Sequence, residues 1–259
     1  MAVNNQFRQV EIEVCAFSVE SCLNAQRAGA HRVELCGGFF EGGTTPSAGL
    51  IETARSLLRI DLNVMIRPRG GDFLYSHWEF ECMKRDIEIA KKYGANGVVF
   101  GILNQNGTID QQRTSALVAL AKPMRVTFHR AFDMTPNPVE ALEAAIETGA
   151  TTILTSGQRQ TAIEGIETIA ELVAASAGRI DIMAGAGVNA TNAVQLAATG
   201  LTALHLTAKT TRPSLMTYRQ PNLQMTSSLP SNEYEVVFSD FEKIEAIRRL
   251  FLPADGAPF

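Results

Sequence analysis

The chain has 259 residues, 46% hydrophobic and 19% charged, which supplies a large core and argues against disorder. A formal net charge of −4 leaves no basic footprint, so neither nucleic acid nor an anionic membrane surface is an expected partner. No run has the length of a transmembrane span, and MAVNNQFRQVEIEV lacks the basic-then-apolar pattern of a secretory signal. A cytoplasmic protein is therefore expected. Four cysteines without a CxxC spacing suit a reducing compartment and do not make a disulfide framework.

Short apolar runs begin near Val10, His31, Leu62, Gly97, Met124, Thr151, Ile180 and Leu201, with longer amphipathic stretches between them. The repeat of roughly 27 residues is that of a βα unit. Eight such units predict an α/β fold of the closed TIM (β/α)8 barrel type, with residues 1–259 forming a single domain.

A parallel barrel strand is buried on both faces, alternate residues pointing to the helices and to the lumen. In VEIEVC, Val10, Ile12 and Val14 take the helix side, which sends Glu11, Glu13 and Cys15 inward. Ser18 caps the first helix, which stops at Gly29. In HRVELC, Arg32, Glu34 and Cys36 point inward. The third strand, LNVMIRP, contributes Asn63, Met65 and Arg67, and runs into RPRGGDFLYS, where Arg67, Arg69 and Asp72 gather beside two glycines. Guanidinium forks suit anion recognition there, and an internal ion-pair network is the competing reading. Tyr75 and Trp78 either wall a pocket or pack.

MRVTFHR, the fifth strand, sends Arg125, Thr127 and His129 inward, with Arg130 and Asp133 following. The next helix opens at Asn137-Pro138 and closes at Gly149. The sixth strand ends in Thr155-Ser156-Gly157, whose hydroxyls are candidates for the same rim. After the seventh strand, Gly185-Ala186-Gly187 precedes a helix capped at Asn189 and stopping at Gly200. This is either a phosphate cradle or a compact βα turn. His205 is inward on the eighth strand. Residues 209–235 read as a long unperiodic loop, and Ser239-x-x-Glu242 as the capping box of the last helix.

Charges of both signs in the lumen must pair, which predicts a network of Glu13, Glu34, Arg67 and His129. Glu13, Glu34 and His129 are also the candidate catalytic acid–base groups. Arg67, Arg69, Asp72, Arg130, Ser156, Gly185 and Gly187 are the candidate anion-binding set. Cys15 and Cys36 end adjacent strands in the same phase. Their sulfurs form a soft pair suited to Cu(I), with Met65 or His129 as a further partner, or else pack as small hydrophobes. Cys22 and Cys82 read as core.

The run EVCAFS, GAHRVELC, GGTTPSAGLI, MIRPRGGDF, GVVFGIL, VTFHRAFD, ILTSG and HLTAK resembles the CutC family of copper homeostasis proteins from Val10 to Lys209. The resemblance implies a cytoplasmic (β/α)8 barrel, a homo-oligomer (dimer or higher), and copper binding at the cysteines that match Cys15 and Cys36. One departure is Ala186, where that family has a third glycine. Two functions are expected: copper binding without an organic cofactor, or an enzyme of lyase, isomerase or hydrolase type acting on a small anionic metabolite, phosphorylated ones included. A barrel kept for protein–protein contact is a third.

Overall fold

A computed structural model describes residues 10–220, 223, 225 and 233–252. The eight expected strands are present as β1 (Glu11–Ala16), β2 (Arg32–Leu35), β3 (Asp61–Met65), β4 (Gly97–Phe100), β5 (Arg125–Phe128), β6 (Thr152–Thr155), β7 (Asp181–Ala184) and β8 (Ala203–Leu206). They close in sequence order, β8 pairing back onto β1, and every barrel pairing is parallel. The chain is therefore a TIM barrel.

The predicted alternation holds. Ile12, Val14, Val33, Leu35, Leu62 and Val64 join the core between sheet and helices. Cys15, Cys36, Met65 and Val99 form a separate cluster in the lumen, and Leu154, Met183 and Ala203 a second. The pleat sends neighbouring residues to opposite faces, so two apolar layers form from one strand set.

Helix starts follow their caps. Ser18 Oγ accepts from Ser21 N–H at the start of α1 (Val19–Arg27). Helices α2 (Ala48–Leu57), α3 (His77–Lys92) and α4 (Gln111–Ala121) start after Ser47, Ser76 and Asp110, each of which accepts a backbone N–H. Asn137 caps α5 (Pro138–Thr148), which Gly149 ends in the left-handed conformation. Helix α6 spans Ile166–Ser176.

Three local expectations are corrected. Helix α7 is only Ala193–Ala197, because Asn189 Oδ1 is taken by Thr191 and Asn192 sits at the cap. Residues 209–213 and 235–239 form an antiparallel hairpin, β9 (Lys209–Pro213) and β10 (Glu235–Ser239). The middle of the expected loop, 221–222, 224 and 226–232, lies outside the described residues. Because Ser239 is drawn into β10, the cap of α8 (Phe241–Arg249) passes to Asp240, whose carboxylate accepts from Lys243 N–H. The hairpin packs beside the barrel through Asn24 and Ser21, which bond Ser239.

Candidate functional site

The lumen places Glu13 at its centre. Its Oε2 accepts from Arg32 Nε at 2.6 Å and Asn63 Nδ2 at 2.9 Å, and its Oε1 lies 2.8 Å from His205 Nδ1. Arg32 also reaches Glu11 and the Met183 sulfur. Above this layer the Cys15 and Cys36 sulfurs are 3.7 Å apart, Cys36 donates toward Glu34 Oε2 at 3.5 Å, and His205 Nε2 is 3.7 Å from the same oxygen. Two groups of potential ligands emerge, Cys15/Glu34/Cys36 and Glu13/Glu34/His205.

The expected network is therefore partly rebuilt. Glu13 and Glu34 are buried as predicted, but their cationic partners are Arg32 and His205, not Arg67 and His129. The reason is position on the ring. Strands β2 and β8 flank β1, whereas β5, which His129 directly follows, stands across the barrel. Arg67 points up instead and donates to the carbonyls of Glu41, Gly43 and Gly71, where it pins the loops above β2 and β3.

Burial alone would raise the Glu13 carboxyl, but the Arg32 guanidinium and His205 outweigh it and hold it down to about 2. Burial opposes charge on His205, yet Glu34, Cys15 and Glu13 raise it well above the ordinary histidine value. The Cys36 hydrogen bond draws Cys15 down to about 5 against burial, with His205 assisting. Burial and the Cys15 charge together push Glu34 and Cys36 up. Glu13 and Arg32 thus form a buried ion pair with His205 beside it, while burial disfavours the charged forms of Glu34 and Cys36. Cys22, by contrast, is pushed up to about 12 by burial.

A cavity of about 490 Å³ opens above these groups at the C-terminal ends of the strands, where barrels of this kind bind ligands. Cys15, Glu34 and His205 form its floor with Met65, and Phe17, Phe39, Phe40 and Phe73 wall it. Arg67, His129 and Arg130 also line it, as does Lys209 from β9. His129 is neutral, because burial and the Arg67 charge press it down to about 3. Its Nδ1 accepts from Ala131 N–H, which puts the ring proton on Nε2. Gly101 makes room for the ring: a β-carbon there would lie 2.6 Å from His129 Nδ1.

The remaining candidates divide. Arg69 and Asp72 do not line the cavity; they pair with each other, and Arg69 also with Glu79. Ser156 is 0% exposed and spends its hydroxyl on Asp133, Arg130 and the Arg159 carbonyl. Asp133 is thus a staple that ties the end of β5 to that of β6. Gly185 is small for packing, since a β-carbon would meet Leu154 Cδ1 at 2.6 Å. Its N–H donates to the Thr155 carbonyl, and Asn189 N–H to Asn192 Oδ1, so these two amides are already bonded inside the protein. Gly187 does line the cavity. Ala186 beside it has φ 78, the glycine-like conformation, which costs a β-carbon residue roughly 1–2 kcal/mol. Tyr75 packs in the core and Trp78 is 75% exposed, so neither is a wall. Cys22 is core as expected, but Cys82 is exposed.

His205 and Arg32, placed in the lumen by the sequence but given no role there, and the four phenylalanines are the site residues that the candidate set lacked. The inward phase of His205 and the closure of β8 onto β1 were the available signal. The phenylalanines carried none, because Phe17, Phe39, Phe40 and Phe73 lie outside the strands.

Fold and site together define a TIM barrel with a thiol–carboxylate–histidine floor at its functional mouth. The CutC family model matches residues 10–210, and the chain belongs to the CutC family. A copper homeostasis protein cutC homolog from Mus musculus is 45% identical over 240 residues, covering 92% of this chain and 88% of the homolog. A family protein CutC from Parabacteroides distasonis is 50% identical over 237 residues, covering 91% and 98%. The crystal structure of a CutC protein from Streptococcus agalactiae superposes with a TM-score of 0.73 at 35% identity, covering 76% of this chain and 98% of that one. Among the described residues no helix is long and apolar enough to cross a membrane.

Proposed function

We propose that this copper homeostasis family member binds copper as Cu(I) through Cys15 and Cys36, in the reducing cytoplasm where its thiols stay free. The observation that carries the reading is the convergence of the two sulfurs at 3.7 Å. Metal–sulfur bonds of about 2.3 Å let two sulfurs at that separation share one ion. The donor set is soft, as Cu(I) prefers, and Met65 lies in the same cluster as a third soft donor. His129 belongs to neither group of potential ligands and drops out as a copper partner. His205 and Glu34 beside the sulfurs help one thiol lose its proton, which a metal ligand requires.

The test is an anaerobic Cu(I) titration against a competing chelator, on the wild type and on the Cys15→Ser/Cys36→Ser double variant. Stoichiometric binding that the variant loses is expected. Equal affinity in the two proteins would reject the ligand assignment.

A further inference from the structure

We infer that the barrel mouth is also a binding site for a small organic carboxylate with an apolar body, held by groups other than the two sulfurs. This stands independently of the copper reading, since it uses the upper part of the cavity.

Three observations carry it. The first is size. A cavity of about 490 Å³ lies in the range of small-molecule pockets and is far larger than one ion needs. The second is the balance of charge along its lining. Arg67, Arg130 and Lys209 bring three basic side chains to it, and Glu34 is the one carboxylate among the described lining residues. An anion entering the upper part of such a space meets a predominantly positive lining. The third is a pair of unpartnered donors. Arg67 Nε and His129 Nε2 are buried and have no hydrogen-bond partner among the described residues. Arg67 is 7% exposed and His129 4%, and the Phe73 ring packs on both, 5.0 Å from the guanidinium carbon and 4.9 Å from the imidazole.

A buried N–H without an acceptor is costly, so two of them in one wall call for an explanation. A carboxylate oxygen that displaces the Phe73 edge would satisfy both. The apolar body then lies among Phe17, Phe39 and Phe40, of which Phe39 and Phe17 already stack edge to face at 5.0 Å. Lys209 Nζ stands 5.8 Å above the Phe39 ring, at the entrance to the same wall. The amides of Gly185 and Asn189 are spent inside the protein, and α7 is a five-residue helix, so these groups add nothing toward a phosphate.

Phenylpyruvate combines a ring, a keto oxygen and a carboxylate, and 2-phenylethanol serves as its uncharged control. Both are titrated calorimetrically into the metal-free protein, into the Cys15→Ser/Cys36→Ser variant and into Lys209→Met. The His129 Nε2–H resonance is followed by NMR in the wild type, which keeps the test independent of how any variant folds. Saturable one-to-one binding of phenylpyruvate is expected in the wild type and the double cysteine variant, weakened about fivefold by Lys209→Met, as removal of one partly exposed charge implies. A shift of the His129 proton on titration is expected as well. No binding of phenylpyruvate, equal binding of 2-phenylethanol, or binding that leaves the His129 proton unmoved would each overturn the proposal. Cu(I) affinity equal in the wild type and the double cysteine variant, with phenylpyruvate binding intact, would reject the copper reading alone.

Discussion

His205 on β8 faces Glu13 on β1 across the seam that closes the barrel, Nδ1 to Oε1 at 2.8 Å. The carboxylate fixes the ring, so the other nitrogen is presented toward Glu34 and the thiols. A buried carboxylate thereby orients a histidine and neutralises an arginine at once.

Glu13→Gln removes that charge while keeping the shape. Arg32 would then be left buried with only the half-exposed Glu11 as counter-ion. Breaking a buried pair from one side costs about 3–5 kcal/mol. Urea unfolding at neutral pH should show a loss of that order, and a loss below about 1 kcal/mol would mean the pair is not sustaining the barrel.

Stability should depend on pH through His129. Its pKa falls from 6.5 to about 3 on folding, chiefly through burial, so between these values the unfolded chain binds a proton the native protein refuses. The linkage then makes stability fall as pH drops from 6.5 toward 3. Glu13, lowered from 4.5 to about 2, adds a similar loss only below pH 4.5. Between pH 6.5 and 5 the wild type should therefore lose more stability than His129→Asn. Parallel melting curves for the two across that window would contradict the neutral, buried imidazole.

Thiol chemistry should separate the cysteines. Cys15 is drawn to about 5 and lines the cavity, Cys36 is pushed up, and Cys22 is held near 12 by burial. In a Cys82→Ser background, which removes the exposed thiol, iodoacetamide at pH 6 should modify Cys15 first, because the thiolate is the nucleophile. Peptide mass mapping reads this directly, and preferential labelling of Cys22 would reverse the assignment.

Gly101→Ala tests the seat of His129. The added methyl would sit 2.6 Å from Nδ1 and 2.9 Å from the Ala131 β-carbon. Overpacking of this kind costs about 1–3 kcal/mol. Thermal unfolding should register it, with a disturbed His129 Nε2–H signal, and an unchanged melting point would mean the loop yields freely.

The eight units and the inward phase of Glu13, Cys15, Glu34, Cys36, Asn63 and Met65 were all legible in the sequence. The pleat forces a period of two, and a barrel strand buried on both faces displays it as an apolar set interleaved with the lumen set. The end of the chain was less legible: Lys209–Pro213 carries no strand pattern of its own and becomes one only by pairing with Glu235–Ser239. The sequence by itself thus determined the barrel and which side chains enter it, because both follow from local periodicity. Only the tertiary structure decided which of them meet. His129 and His205 are equally inward in the sequence, and closure places His205 beside Glu13 and leaves His129 across the ring. Arg32 and Arg67 are both inward arginines in the sequence, and the reach of each side chain from its layer sends one to the carboxylates and the other to the loop carbonyls.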